Sequence, residues 1–275
     1  MCEFCTEHGE GKKWYLQMKN YTDEMLHQEL SSIQKETVNA QSRLEWNRRF
    51  WQGFIAPAFK GKAEIPKKQV FAAKTLAGDK IEHFGQVLPI EDVERVIDMV
   101  SSITRLPCGC RYISTGKTDK RYCFGIGIDK WGSMGTFPDS ASSLEGLSKE
   151  EAKKIIRGYD VEGLIHSIWT GVTPYVVGLC NCDHDCLAYR GYIERGGQPS
   201  FFRAEYVCQV KEDLCNGCKA CMSQCQFGAQ FYSSASSRVY ISPEKCFGCG
   251  VCRAACPTDA IYLIPRTMER VAVNI

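Results

Sequence analysis

Between residues 87 and 182 the apolar positions change period twice, and each change marks an element. In IEDVERVIDMVSSITRLP, Val93, Val96, Ile97 and Val100 fall at i, i+3, i+4 and i+7, which predicts a helix that runs on until Pro107 stops it, just before Cys108. In LSKEEAKKIIRGYDVEGLIHSIW, Ser148 and Glu151 have the spacing of a capping box. Ala152, Ile155, Ile156 and Tyr159 supply an apolar stripe behind them, and Gly163 offers a stop. The segments LIHSIW, TGVTP and YVVGLC then predict a β-hairpin that delivers the chain to Cys180.

Two other regions have their own patterns. Residues 22 to 56 predict a helical arm, with Met25, Leu26, Leu30 and Ile33 at helical spacing and no glycine or proline until Gly53 and Pro57. After residue 204 the chain repeats itself: VCQVKEDLC is matched by VYISPEKC and FGAQFYSS by PTDAIYLI, each half reading strand, cysteine loop, short helix, strand. The expectation is an α+β protein in three parts: an N-terminal Cys/His motif and helical arm at 1–86, a cysteine-containing middle domain at 87–203, and the repeat at 204–275. The order of helices and hairpin in the middle part is similar to that of a winged-helix module, an analogy of fold that carries no function.

Composition narrows the chemistry. Of 275 residues, 44% are apolar and 24% charged, ordinary for a globular chain, and the net charge of +2 gives no overall attraction to nucleic acid. No apolar run approaches the length of a membrane span, and the N-terminus MCEFCTEHGE lacks the basic-then-apolar order of a secretion signal, so a cytoplasmic protein is expected. The 17 cysteines stand out. Grouped as C-x-x-C and C-x-C, they point to metal ligation in preference to disulfides.

CNGCKACMSQC (Cys215 to Cys225) and CFGCGVCRAACP (Cys246 to Pro257) are two copies of C-x2-C-x2-C-x3-C whose first cysteines lie 31 residues apart. Three thiolates at this spacing wrap a loop around three corners of a cubane, with Gly217, Ala220, Gly248 and Gly250 keeping the loop small. Structural zinc, by contrast, prefers paired knuckles to a run of four cysteines. Residues 205 to 265 resemble a bacterial-type two-cluster ferredoxin. The resemblance implies low-potential one-electron transfer and a crossed ligand set, Cys215, Cys218, Cys221 and Cys256 on one [4Fe-4S] cluster and Cys246, Cys249, Cys252 and Cys225 on the other. The chain departs from that pattern where the proline expected after the fourth cysteine is Gln226. Cys208, whose counterpart 31 residues on is Val239, reads as a buried strand residue.

The remaining thiols form a second problem. Cys108, Cys110, Cys123, Cys180, Cys182 and Cys186 lie at the ends of elements that one domain can bring together, and six exceed the needs of one cubane. A third [4Fe-4S] cluster is the leading expectation, with structural zinc or a disulfide switch as alternatives. Asp183, His184 and Asp185 read as loop residues and His166 as a core histidine. Cys2, Cys5 and His8 put three metal ligands in seven residues, open to zinc or to a cluster, and need a fourth from elsewhere. The segments MCEFCTEHGEGKKWYL, LPCGCRY, KEEAKKIIRGYDVEGLIH and LCNCDHDC resemble those of a cysteine-rich ferredoxin family of anaerobic bacteria and archaea, which implies anaerobic redox metabolism.

Residues 43 to 80 carry nine Lys or Arg against three Asp or Glu, among aromatic residues, and offer a docking patch for a redox partner or a membrane surface. The expected function is electron transfer within a hetero-oligomeric oxidoreductase system, by a subunit more readily non-catalytic than enzymatic. The alternatives are an oxidoreductase whose middle cluster binds substrate and a redox-sensing regulator. No nucleotide or flavin fingerprint supports the first, since GIGIDKWGSMG lacks a Walker ending. Mixed charge over 148–163 argues against the second, and no nucleic-acid partner is expected.

Overall fold

The computed structural model describes residues 13–16, 85–115, 120–126, 144–170, 176–186, 189 and 201–269. Cys2, Cys5, His8, the expected arm at 22–56 and the basic aromatic region 43–80 lie outside them, as do most of GIGIDKWGSMG and the hairpin turn.

A seven-stranded sheet organises the middle of the chain. Its strands are β1 (Gly85–Val87), β2 (Ile103–Leu106), β3 (Cys123–Ile126), β4 (Glu145–Leu147), β5 (Ile165–Thr170), β6 (Val176–Cys182) and β7 (Phe201–Phe202), in the order β4-β2-β3-β6-β5-β1-β7. All neighbours are antiparallel except β1 and β7. The expected hairpin is β5 and β6, with Ile165 opposite Cys182 and Ser167 opposite Cys180. The winged-helix analogy is corrected here, because sheet rather than helix dominates the described part of this domain.

Three helices belong to this part: α1 (Ile90–Met99), α2 (Gly109–Thr115) and α3 (Lys149–Val161). Helix α1 ends eight residues before Pro107. The segment ITRL that the helical period claimed is instead β2, because Ile103 and Leu106 are buried by pairing with β3 and β4. Cys108 therefore follows a strand and Cys110 lies in the first turn of α2. Helix α3 starts as expected: the Ser148 hydroxyl accepts from the Glu151 N–H while the Glu151 carboxylate accepts from the Ser148 N–H.

Helices α1 and α3 cover one face of the sheet, where Val93, Val96, Ile97, Ala152 and Ile156 meet Phe124, Ile168 and Leu179. Trp14 and Tyr15, in a 3-10 turn at Trp14–Leu16, enter the same core. The Trp14 indole donates to Gln86 Oε1 at 2.6 Å and the Tyr15 hydroxyl to Asp92 Oδ2 at 2.9 Å, so this N-terminal turn is fixed to β1 and α1. Alternate residues of β5 and β6, among them Ile165, Trp169, Cys180 and Cys182, face the other way.

The C-terminal part is built from β8 (Tyr206–Val210) paired with β11 (Ile261–Pro265) and β9 (Gln230–Ser233) paired with β10 (Arg238–Ile241), with α4 (Ala220–Gln224) and a 3-10 turn at Val251–Arg253 beside them. The internal repeat is visible in three dimensions. A Cβ on Gly217 would lie 2.1 Å from the Ser237 carbonyl and one on Gly248 would lie 2.1 Å from the Tyr206 carbonyl, both at positive φ. Tyr206 and Ser237 are themselves one repeat apart, so the equivalent segment of each half presses on the cysteine loop of the other and only glycine fits.

This part seats on the sheet face opposite the helices and at the end of α3. The carbonyls of Val161 and Gly163, left free where α3 ends, accept from Gln224 Nε2 at 3.3 Å and Gln226 Nε2 at 2.6 Å. The Arg253 guanidinium clasps both Glu91 carboxylate oxygens, at 2.5 and 2.7 Å. Gly163 has φ +83° and no room for a Cβ beside the Gln224 side chain. Gly163→Ala is expected to cost about 1–2 kcal/mol in left-handed strain and to displace Gln224, lowering the urea midpoint and loosening the joint as read by proteolysis near residues 201–206. An unchanged midpoint would contradict the assigned cap.

Candidate metal centres

Two cavities in the C-terminal part match the two cysteine groups. One is lined by Cys215, Cys218, Cys221 and Cys256. The other is lined by Cys225, Cys246, Cys249 and Cys252. Each therefore takes three cysteines from one copy of the motif and the fourth from the other. Backbone amides point at the crossing thiols in the same way in both halves: Ala229 N–H to Cys225 Sγ and Ala260 N–H to Cys256 Sγ, each 3.3 Å. Donors aimed at sulfur favour the thiolate form that a metal needs. At Cys256 the amides of Thr258, Ala260 and Ile261 lower the thiol's pKa against the burial that raises it.

The cavities differ at several repeat-related positions, among them Asn216 against Phe247, Thr258 against Phe227 and Val239 against Cys208. Val239 lines the first and Cys208, its repeat counterpart, lines the second. Cys208 is buried, as its place on a strand suggested, but it is also a fifth sulfur in that cavity. Its Sγ is 3.8 Å from Cys252 Sγ, and its N–H donates to Cys246 Sγ at 3.4 Å. The Cys208 side chain and then, against burial, its backbone amide and that of Gly248 bring the Cys246 thiol down to about 6.

The sheet brings all six middle-domain thiols together. Cys123 and Cys180 face each other on β3 and β6, Cys108 and Cys123 Sγ are 3.4 Å apart, and Cys182 and Cys186 Sγ are 3.3 Å apart. Cys110 joins them through Cys186, whose hydrogen bond, with burial, pushes the Cys110 thiol well up; Cys186 and burial do the same to Cys182. Burial and shared hydrogen bonds keep these thiols protonated, and a cation that replaced those protons would compensate the charge of the thiolates. Among the described residues no three His, Cys, Asp or Glu side chains are arranged around a single ion, and this is as true of the C-terminal cysteines as of these.

Arg111, buried to 2% exposure, was not foreseen as part of this site. Its guanidinium donates to Cys108 Sγ at 3.4 Å, to the Asn181 carbonyl at 3.0 Å and to Asp183 Oδ1 at 2.9 Å, and lies over the Tyr122 ring. Asp183 is thus the anchor of a buried cation and not merely a loop residue. Asp185 N–H closes the turn onto Asp183 Oδ1, and His184 packs edge-on against Tyr189. His166 is fully buried on the helix side of the sheet, its Nδ1 2.6 Å from Asn181 Oδ1 and its Nε2 3.5 Å from Asp160, away from the thiols.

One apolar cluster joins the two cysteine regions. Cys182, Cys186, Tyr189 and Phe247 are buried in it, with Cys110, Cys180, Phe227 and Cys249 packed against it. Phe227 and Phe247 stack at 3.9 Å with planes 7° apart, and Tyr189 lies against Phe227 at 5.6 Å. The Tyr189 hydroxyl donates to the Gln226 carbonyl. Gln226, the residue that departs from the ferredoxin pattern, thus holds the joint with both its side chain and its backbone.

Comparison with known proteins agrees with the C-terminal geometry. Residues 214–260 match the family model of the 4Fe-4S dicluster domain, and this region is such a domain. The archaeal-type glutamate synthase [NADPH] of Thermotoga maritima is 44% identical over 57 residues, which are 21% of this chain and 11% of that protein. Indolepyruvate oxidoreductase subunit IorA of Pyrococcus abyssi is 27% identical over 107 residues, 38% of this chain and 16% of the subunit. A ferredoxin of Streptomyces griseus is 35% identical over 51 residues, 18% of this chain and 47% of that protein. The chain spans about a tenth of the length of the glutamate synthase it matches. Among the described residues no helix is long and apolar enough to cross a membrane.

Proposed function

We propose that the chain relays single electrons for a partner oxidoreductase through two [4Fe-4S] clusters in the C-terminal domain and a third held by middle-domain thiols. Cys215, Cys218, Cys221 and Cys256 would hold one C-terminal cluster and Cys225, Cys246, Cys249 and Cys252 the other. Of the six remaining thiols, Cys110, Cys180, Cys182 and Cys186 are the best candidates for the third, because these four pack toward the dicluster domain.

The observation that carries the reading is the shared apolar cluster in which these four thiols, the Tyr189-Phe227-Phe247 group and Cys249 meet. A brace would need only a folded middle domain. Electron transfer is helped by packed protein between centres, and Cys182 and Cys249 belong to one apolar cluster. A [4Fe-4S] cluster supplies reversible one-electron exchange when bound. The chain supplies the rest: thiolates at each corner, amide donors that stabilise charge, Arg111 beside the middle thiols, and aromatic side chains that exclude water between sites. Relatives with related stretches are glutamate synthases and indolepyruvate oxidoreductase subunits, which supports a partner of the oxidoreductase class.

Iron, sulfide and zinc analysis of anaerobically purified protein, followed by a redox titration read by electron paramagnetic resonance, tests this. About twelve irons per chain with three reducible centres are expected. About eight irons, or one zinc beside them, would remove the third redox step.

A further inference from the structure

The two cluster cavities of the dicluster domain are related by the repeat, yet one is lined by a thiol where the other is lined by an isopropyl group. We propose that Cys208 is a hydrogen-bond donor to the Cys252 thiolate and raises the potential of the cluster of Cys225, Cys246, Cys249 and Cys252, the one nearer the middle domain, above the value it would have with an apolar residue at that position. The inference rests on the reading of both C-terminal cavities as cluster sites.

Three observations carry it. Cys208 lines the cavity with the four candidate ligands and lies 3.8 Å from Cys252 Sγ, within reach of a sulfur-sulfur hydrogen bond. With Cys252 ionised as a ligand, the shared proton belongs to Cys208. The thiol is 3% exposed, so water does not compete for it. The cavity whose ligands include Cys249 is also the one that adjoins the middle-domain thiols through Phe227 and Phe247, whereas Cys218, in the other cavity, is solvent-exposed. The outer site thus faces any external donor and the inner one faces the third site.

The direction follows from charge. Reduction adds one electron to the cluster and its thiolates, and a donor aimed at a ligand sulfur stabilises the added charge and raises the potential. The amide donors at Ala229 and Ala260 occur symmetrically and do not separate the two clusters. Each half also has one side-chain hydroxyl or thiol at a ligand sulfur, Thr258 3.7 Å from Cys256 Sγ and Cys208 3.8 Å from Cys252 Sγ, and the second is the one the substitutions below remove or copy.

The test is reciprocal substitution in the full chain, titrated anaerobically with paramagnetic resonance detection. Cys208→Val is expected to keep the iron content and lower the potential of one C-terminal cluster only, changing the partition of an electron between the two by about tenfold, or about 59 mV for a one-electron couple. Cys208→Ser, which keeps a donor, should lower that potential less, and Val239→Cys should raise the other cluster. In the unsubstituted protein, a hyperfine-coupled exchangeable proton at the inner cluster, absent in Cys208→Val, gives a second readout. Unchanged potentials in both Cys208→Val and Val239→Cys would overturn the proposal. So would loss of about four irons in Cys208→Val with a normal fold, which would make Cys208 a ligand. Fewer than about eight irons in the unsubstituted protein would instead overturn the two-cluster reading beneath it.

Discussion

Cys186→Ala protein, purified without oxygen, is expected to hold about four fewer irons than the unsubstituted chain while the resonance signals of the C-terminal clusters persist. Cys186 sits at the meeting point of the middle site, 3.3 Å from Cys182 and hydrogen-bonded with Cys110, and it packs into the core shared with the dicluster domain. Its loss removes one corner of the proposed ligand set. Cys108→Ala is the comparison. Cys108 lies in the same sulfur group but outside the shared core, held by Arg111 and the Tyr122 amide, and its substitution should leave the iron count near that of the unsubstituted chain. Equal iron content in Cys186→Ala, Cys108→Ala and the unsubstituted protein would dismiss this site as a cluster site. If Cys108→Ala loses iron and Cys186→Ala does not, the ligand set is the opposite one.

The largest effect on stability is expected at a residue far from any cysteine ligand. Trp14→Ala should cost roughly 3–5 kcal/mol, the usual range for deleting a buried ring. Trp14 is fully buried against the helix-covered face of the sheet, and its indole satisfies Gln86 Oε1 inside β1. The alanine leaves a cavity and strips a buried acceptor of its donor. A fall in the apparent urea midpoint, followed by circular dichroism in the absence of oxygen, measures it. A change of under about 1 kcal/mol would mean that this turn does not belong to the core.

What was legible in the sequence was what local chemistry dictates. The cluster motifs could be read because a cubane fixes the spacing of its first three thiolates within one loop. The repeat could be read because the cysteine motif and the strands that flank it recur 31 residues on. The start of α3 was visible because a capping box is complete within four residues. The seven-stranded sheet was not visible, because β1, β2, β3 and β4 are three or four residues long and find partners far along the chain. Ile103 and Thr104 continue a helical period by accident, and only pairing with β3 and β4 makes them a strand. Arg111 stood in plain sight beside Cys110, yet nothing local said that Asn181 and Asp183 would come to meet it. The stack of Phe227 on Phe247 joins residues from different copies of the repeat, and no periodicity announces it. Gln226 was noticed as a missing proline, and its meaning lay across the joint at Gly163.

That joint has a consequence for how quickly the molecule can work. Many carrier proteins collect an electron at one surface, drift, and release it at another, so their throughput depends on concentration and ionic strength. Here the dicluster domain is fastened to the middle domain by Gln224, Gln226 and Arg253, with the aromatic stack at the joint. In the relay proposed above, transfer between the dicluster domain and the middle thiols would be a first-order event, indifferent to dilution and to salt, and exchange at the exposed Cys218 end would remain a collision open to regulation by a partner.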